Sequence, residues 1–341
     1  MQVIENEEML DKFLSEPSAD LIEMMKRLDG DIMILGINGK MGLTMGRQAV
    51  AAIKAAGVSK KVIGVSRFSD ETGREKLEEW GIQTIACDLL DRSAVAALPK
   101  VPNIIFMAGR KFGTGGSEDL TWAMNALSPA YVGEHFNESR IVVFSTGCVY
   151  PLVGVGSGGS VEQDAPEPVG EYSQSCLGRE RIFQWCSRVH GAKVLLFRLN
   201  YAVDLRYGVL HDIAQQVWNE QPVNNTVGHF NVIWQGDANS FALRALEHAT
   251  APPTALNVSG PEIIPVEYIA ERFGEIMDKK ITYTGISADK CYLNNAAKAF
   301  SLFGYPRVSL EKMISMQAQW LMKGGRSLGK PTHFEVNTGK F

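Results

Sequence analysis

The chain has 341 residues, 45% of them hydrophobic and 21% charged, with a formal net charge of −4. This suits a globular protein long enough for one large α/β unit or two lobes around a cleft. It excludes the basic field that a nucleic-acid or acidic-membrane partner calls for, and no apolar run approaches the ~18 residues that cross a bilayer. The opening stretch, MQVIENEEMLDKFLSEPSAD, is acidic and lacks a basic start followed by an apolar core, so no secretory signal is expected there.

In chain order, residues 1–28 read as a helical packing extension. Six short runs then look like buried strands: DIMILG (31–36), KVIGVS (61–66), IQTIAC (82–87), NIIFMAG (103–109), RIVVFS (140–145) and AKVLLFRL (192–199). They are rich in Val and Ile and apolar on both faces. Helical patterns fill the gaps at 41–56, 72–80, 91–97, 118–137 and 172–190. Strand alternating with helix predicts an α/β fold, a doubly wound parallel sheet of Rossmann type with right-handed crossovers.

GVGSGGS (154–160) reads as a mobile loop. After residue 200 the rhythm breaks. Segments 209–220 and 266–277 look helical, 229–237 extended, 281–284 a short strand, and 309–323 a last helix with Ser309 as N-cap. The predicted organisation is an extension over 1–28, a dinucleotide-binding domain over 29–203, and a smaller substrate lobe making up most of 204–341.

The five cysteines, Cys87, Cys148, Cys176, Cys186 and Cys291, are odd in number and show no zinc spacing. A reduced, cytoplasmic setting without a metal site is expected.

The first strand runs directly into GINGKMG, placing Gly36, Gly39 and Gly42 around Asn38, Lys40 and Met41 before a helix. A tight strand-to-helix turn without Cβ atoms lets backbone approach a pyrophosphate, and the helix N-terminus offers N–H groups to its charge. The expected ligand is a nicotinamide dinucleotide. The second strand ends in Ser66 and Arg67, with no acid before Asp70. A carboxylate there would accept from a ribose 2′-OH, whereas a guanidinium pairs with a 2′-phosphate. NADP is therefore favoured over NAD.

With GINGKMG, CDLLD (87–91), MAG (107–109), STGCVYP (145–151), EYSQSCLGRE (171–180) and FRLNYAV (197–203) in place, the chain resembles the extended short-chain dehydrogenase/reductase family, of the NAD-dependent epimerase/dehydratase type. The resemblance covers most of residues 31–300. It implies that Asp88 and Leu89 meet the adenine, that Ala108 and Gly109 line the cofactor, and that Asn125 supports the site. It also implies that Thr146, with Ser145 beside it, hydrogen-bonds the reacting oxygen. Asn200 falls where relatives meet substrate or nicotinamide. Tyr172 would move the proton during hydride transfer.

The family's tyrosine is followed four residues later by a lysine, whose charge stabilises phenolate and whose ammonium grips the nicotinamide ribose. Here that position is Cys176. A phenol with a pKa near 10 needs a cation to act as a base near neutral pH. Arg179, Arg181 or the oxidised nicotinamide itself are the candidate cations. The expected function is hydride transfer on a sugar, sugar acid or related hydroxy compound, as an oxidoreductase, epimerase or dehydratase. The alternative is a catalytically impaired dinucleotide-binding regulator or scaffold. Arg206 is placed to meet an anionic group or solvent, and His211 and Asp237 read as structural. The helices at 118–137 and 172–190, with Trp122, Tyr131, Phe136, Phe183 and Trp185, correspond to a homodimer face in relatives.

Overall fold

The computed structural model describes residues 4–69, 71–111, 116–330 and 332–336. Asp70 lies outside them. Seven strands form one sheet: β1 Ile32–Leu35, β2 Val62–Ser66, β3 Gln83–Ala86, β4 Asn103–Phe106, β5 Arg140–Thr146, β6 Lys193–Leu199 and β7 Thr254–Val258. Every pairing is parallel, and the spatial order is β7-β6-β5-β4-β1-β2-β3. The order reverses between β1 and β4, and a crevice opens there at the carboxyl ends of the strands.

The sheet is covered on both faces, which is why its strands read as unbroken apolar runs. Ile32, Ile34, Val142 and Leu195 point into one layer, with Met24, Met45 and Ala49. Met33, Leu35, Val143 and Leu196 point into the other, with Val132, Phe136 and Phe183. The first layer holds the helices α2 (Ala19–Arg27) and α3 (Gly42–Ala56). The second layer carries the short helices α6 (Glu118–Trp122) and α7 (Ser128–His135), and the long α8 (Gly170–His190).

Four expectations are corrected. β7 lies within the segment read as lobe, yet it extends the main sheet beside β6. The helix expected over 118–137 is interrupted by a wide π turn at Ala123–Leu127. The extended segment at 229–237 is two short strands, His229–Phe230 and Ile233–Trp234, and residues 235–237 already belong to helix α10 (Gln235–Arg244). The glycine-rich stretch 154–160 is packed: Gly154 pairs with Lys290, and the Ser160 N–H donates to the Leu293 carbonyl.

The remaining helices α9 (Val209–Trp218), α11 (Val266–Met277) and α13 (Leu310–Met322) build a second core with Leu10 and Leu14 of the N-terminal helix α1 (Glu7–Leu14). Arg206 fastens that helix to the lobe. Its guanidinium pairs with Asp204 at 3.1 Å, Asp11 at 3.0 Å and Glu7 at 3.3 Å. It therefore meets carboxylates of its own chain, neither solvent nor a ligand. Asp237 accepts from the Val308 N–H and pairs with Arg307, while the His211 ring bonds Ser327 and Gln317. Both are thus engaged by groups of their own chain.

α8 runs 21 residues and stops at Gly191, whose φ of +76° is a left-handed C-terminal cap. Its inward side chains recur at helical spacing through Ser173, Cys176, Glu180 and Phe183. Glu180 is clamped by Arg198 of β6 through two bonds of 2.9 and 2.7 Å. Arg198 also donates to the Tyr150 hydroxyl, which donates to Asn257 of β7. One buried network thus ties α8 to the ends of β5, β6 and β7. Replacing Arg198 by Met would leave the Glu180 carboxylate buried and unpaired, which costs about 3–5 kcal/mol. Urea unfolding should show Arg198→Met losing that much stability, and the double variant Arg198→Met/Glu180→Gln, which removes both charges, losing less.

Candidate functional site

β1 ends at Leu35, and the chain turns at Gly36 with φ of +90°. A Cβ on Gly36 would stand 2.7 Å from the Ala108 amide nitrogen, so only glycine lets the β1 and β4 ends come together there. Gly42 packs directly over the Ile37 carbonyl and opens α3, whose first turn carries no side-chain cap. Its N-cap residue Met41 lines a cavity of this crevice, which puts the positive end of the helix dipole beside it.

Two adjoining cavities occupy this crevice. The first is walled by Gly36, Asn38 and Gly39, by Ser66, Arg67 and Ser69 at the end of β2, by Asp88 and Leu89 after β3, and by Ala108 and Gly109 after β4. A second cavity shares Met107 and Gly109 with it. There stand Lys40 and Met41 of the glycine turn, Thr146 and Cys148 after β5, Tyr172 and Arg179 of α8, Asn200 after β6, and Tyr201 and Tyr207 from the segment leading to α9. Residues far apart in sequence, Lys40, Thr146, Tyr172 and Asn200, therefore share one chamber.

Asn125 lies behind this wall, fully buried in the π turn. Its Oδ1 accepts from the Arg110 N–H at 2.8 Å and from Arg179 Nη2 at 2.7 Å. Its Nδ2 donates to the Arg110 carbonyl at 3.0 Å and to Ser175 Oγ at 2.9 Å. Arg179 Nη1 also donates to the Phe144 carbonyl at 2.6 Å. Asn125 is thus a joint behind the site rather than part of its lining.

Ser145 borders the second cavity, but its hydroxyl donates to Glu180 Oε1 at 2.6 Å, so it serves the buried network. Thr146 Oγ1 accepts from the Cys148 N–H at 3.2 Å and leaves its own proton to donate. Cys176 is buried against Val149, Tyr150 and Tyr172 rather than lining either cavity. Of the two arginines on α8, Arg181 turns outward to Gln184, whereas Arg179 is buried at the cavity wall.

The electrostatics follow from burial. The Tyr172 phenol is pushed well above its usual value, first by loss of solvent and then by the Cys176 and Cys148 thiols, with Arg179 opposing. Burial likewise raises Cys176, against the pull of Arg179. Lys40 sits over the Tyr207 ring, 3.0 Å from its centroid. Burial brings its ammonium down to about 7, against the opposing charges of Asp204 and Asp212, with Lys111 adding to the fall. The residues that sequence reading did not single out are Lys111, Tyr201 and Tyr207. Lys111 follows the MAG segment by two residues, and that proximity was its one available signal; Tyr201 directly follows Asn200.

No protein-family model matches this sequence, and no curated protein matches it. Solved structures do share its architecture. UDP-glucuronic acid 4-epimerase from Bacillus cereus, in complex with NAD, is 17% identical with a TM-score of 0.71, over 86% of this chain and 99% of that one. UDP-glucose 4-epimerase from Thermotoga maritima, with UDP-glucose, is 17% identical with a TM-score of 0.70, over 86% and 99%. dTDP-glucose 4,6-dehydratase from Bacillus anthracis, in complex with NAD, is 15% identical with a TM-score of 0.71, over 86% and 97%. The chain has their fold, a Rossmann-type α/β sheet with flanking helices.

The low value at Lys40 gives a test of the crevice. An anionic pyrophosphate placed at the glycine turn would raise the Lys40 pKa above the present value of about 7. Near pH 8 the free protein holds Lys40 mostly neutral, so binding must draw a proton from solution, and affinity must fall as pH rises above about 7. Calorimetry of dinucleotide binding in buffers of different ionisation enthalpy should register proton uptake, and Lys40→Met should remove it.

Proposed function

We propose that the chain is a nicotinamide-dinucleotide-dependent enzyme that moves hydride to or from a hydroxyl-bearing carbon of a sugar, sugar acid or related compound. The observation that carries this reading is the shared chamber. Tyr172 and Thr146 line a cavity that shares Met107 and Gly109 with the cavity at the glycine turn. A cofactor lying along both cavities would rest its pyrophosphate on the turn and place its nicotinamide beside the phenol. The nicotinamide supplies the hydride chemistry when bound. Gly36, Asn38, Gly39, Lys40, Met41 and Gly42 would hold the phosphates, and Asp88, Leu89, Ala108 and Gly109 the adenosine half.

The protein's own part is proton handling. Thr146 donates to the reacting oxygen, and Tyr172 exchanges the proton with it. The raised phenol is held protonated, so Tyr172 stands ready as an acid for carbonyl reduction. For the reverse step, the phenolate relies on the buried charge of Arg179 and on the oxidised nicotinamide. Asn200, Tyr201 and Tyr207 would form the wall that meets the substrate. The exposed Arg67 at the adenosine end, with Ser66 and Ser69 and no acid of β2 among the lining residues, supports NADP as the preferred form.

A second reading, a dinucleotide-binding regulator, is favoured by the same raised phenol and by the thiol at 176. We further propose a homodimer through α6, α7 and α8, where Trp122, Leu127, Trp185 and Val189 are exposed; Phe136 and Phe183 are core. The five free, buried thiols support a reduced, cytoplasmic setting.

Calorimetry with NAD(H) and NADP(H), followed by a panel of sugars and sugar acids, tests the reading. Tyr172→Phe should lower turnover about 10²–10⁴-fold, the worth of a positioned proton donor, with dinucleotide affinity little changed. Turnover unaffected by Tyr172→Phe would overturn its assigned role, and absence of turnover with intact binding would favour the regulator. Arg67→Ala should weaken NADPH while sparing NADH. Sedimentation of the wild type should give a dimer, and Trp185→Glu a monomer.

A further inference from the structure

The proposed reaction leaves a place open beside the phenol, because the residue one helical turn after Tyr172 is a buried thiol. Three observations point to what fills it. The Asn125 amide holds the Arg110 backbone on one side and Ser175 Oγ on the other. It thereby fixes the residue before Lys111 beside the residue before Cys176, and the Cys176 and Cys148 thiols lie within electrostatic reach of the Lys111 ammonium. The Lys111 ammonium lies 5.8 Å from the centroid of the Tyr172 ring and borders the same cavity as Tyr172 and Thr146. Of the other cations that line this cavity, Arg179 is committed to the Phe144 carbonyl and to Asn125, and Lys40 stands over the Tyr207 ring.

We propose that Lys111, reaching across from the loop after β4, supplies the ammonium that position 176 lacks, and that it donates to the ribose hydroxyls of the nicotinamide nucleotide beside Tyr172. This rests on the dinucleotide-dependent reading above. A lysine side chain suits the task, with three rotatable donors on a flexible stem, whereas the Arg179 guanidinium is fixed and acts on the phenol through space. The work of one lysine is then divided between two cations from two elements. Burial draws the Lys111 ammonium toward neutrality, and the Cys148 and Cys176 thiols and the Asp212 carboxylate oppose this.

The experiment is calorimetry with NADH and NADPH on four proteins: wild type, Lys111→Met, Cys176→Lys and the double variant. Lys111→Met should weaken the tighter dinucleotide by about tenfold or more, the worth of a hydrogen bond from a charged donor. Cys176→Lys should restore affinity in the double variant, because it returns an ammonium to the same place from another element. A lysine that merely stabilised its own loop would not be rescued in this way. Unchanged affinity in Lys111→Met overturns the proposal, as does a loss that a folded double variant fails to recover. Should Cys176→Lys not fold, Lys111→Arg and Lys111→Gln take its place: retention by Arg and loss with Gln supports the proposal, and equal affinities overturn it. A wild type that binds neither dinucleotide overturns the functional reading as well, an outcome distinct from a loss confined to Lys111→Met.

Discussion

The Asn125 amide is the joint on which the candidate site depends. It is fully buried, and the π turn around it departs from the regular α repeat. From there its oxygen and nitrogen reach the β4 loop at Arg110 and α8 at Ser175 and Arg179. Without that joint, α8 would still pack on the sheet through Phe183, but its N-terminal half would lose these bonds to the loop after β4. The placement of Tyr172 at the cavity thus depends in part on a buried amide that lines neither cavity. A wide helical turn is costly unless its freed backbone groups find partners, and here Arg179 Nε approaches the Asn125 carbonyl at 3.4 Å.

The central strands were legible because both faces of the sheet are covered. IMIL and IVVF must be apolar at every position, and no surface segment has reason to be. β7 was not legible for the opposite reason. TALNV carries Asn257, which is buried by accepting from Tyr150 and donating to the Ser160 carbonyl, partners that no local pattern reveals. The π turn likewise carries no glycine or proline within Ala123–Leu127 to announce it. The glycine-rich stretch at 154–160 read as loose because its partners, Lys290 and Leu293, lie about 130 residues away in the chain.

In the site itself, the glycine turn was readable because backbone geometry demands residues without Cβ, and that demand is written locally. Thr146, Tyr172 and Asn200 were readable through the resemblance of short motifs. Ser145 looks equivalent to Thr146 along the strand and both line the second cavity, yet its hydroxyl donates to Glu180, a partner that no local pattern reveals. Arg206 was ambiguous for want of its partners, two of which belong to the N-terminal helix nearly two hundred residues earlier. A lone cation in sequence carries no record of which carboxylates will meet it.

These points bear on why a thiol can stand at position 176. A lysine there would run its stem along the buried face of α8, past Val149 and Tyr150, and its charge would need a partner whenever no ligand meets it. The nearby buried charges are already matched, Glu180 with Arg198 in a bidentate pair and Arg179 with carbonyl oxygens of Phe144 and Asn125. A small apolar side chain avoids adding an unmatched charge to that interior, and Cys behaves as such a group when burial keeps it protonated. Basic side chains stand instead at the cavity wall, Lys40, Lys111 and Arg179, and burial lowers the pKa of both lysines, so an anionic ligand there would favour their charged forms. The arrangement exchanges a charge fixed within the helix for charges that are most stable when the crevice is filled, which couples the protonation of the site to its occupancy.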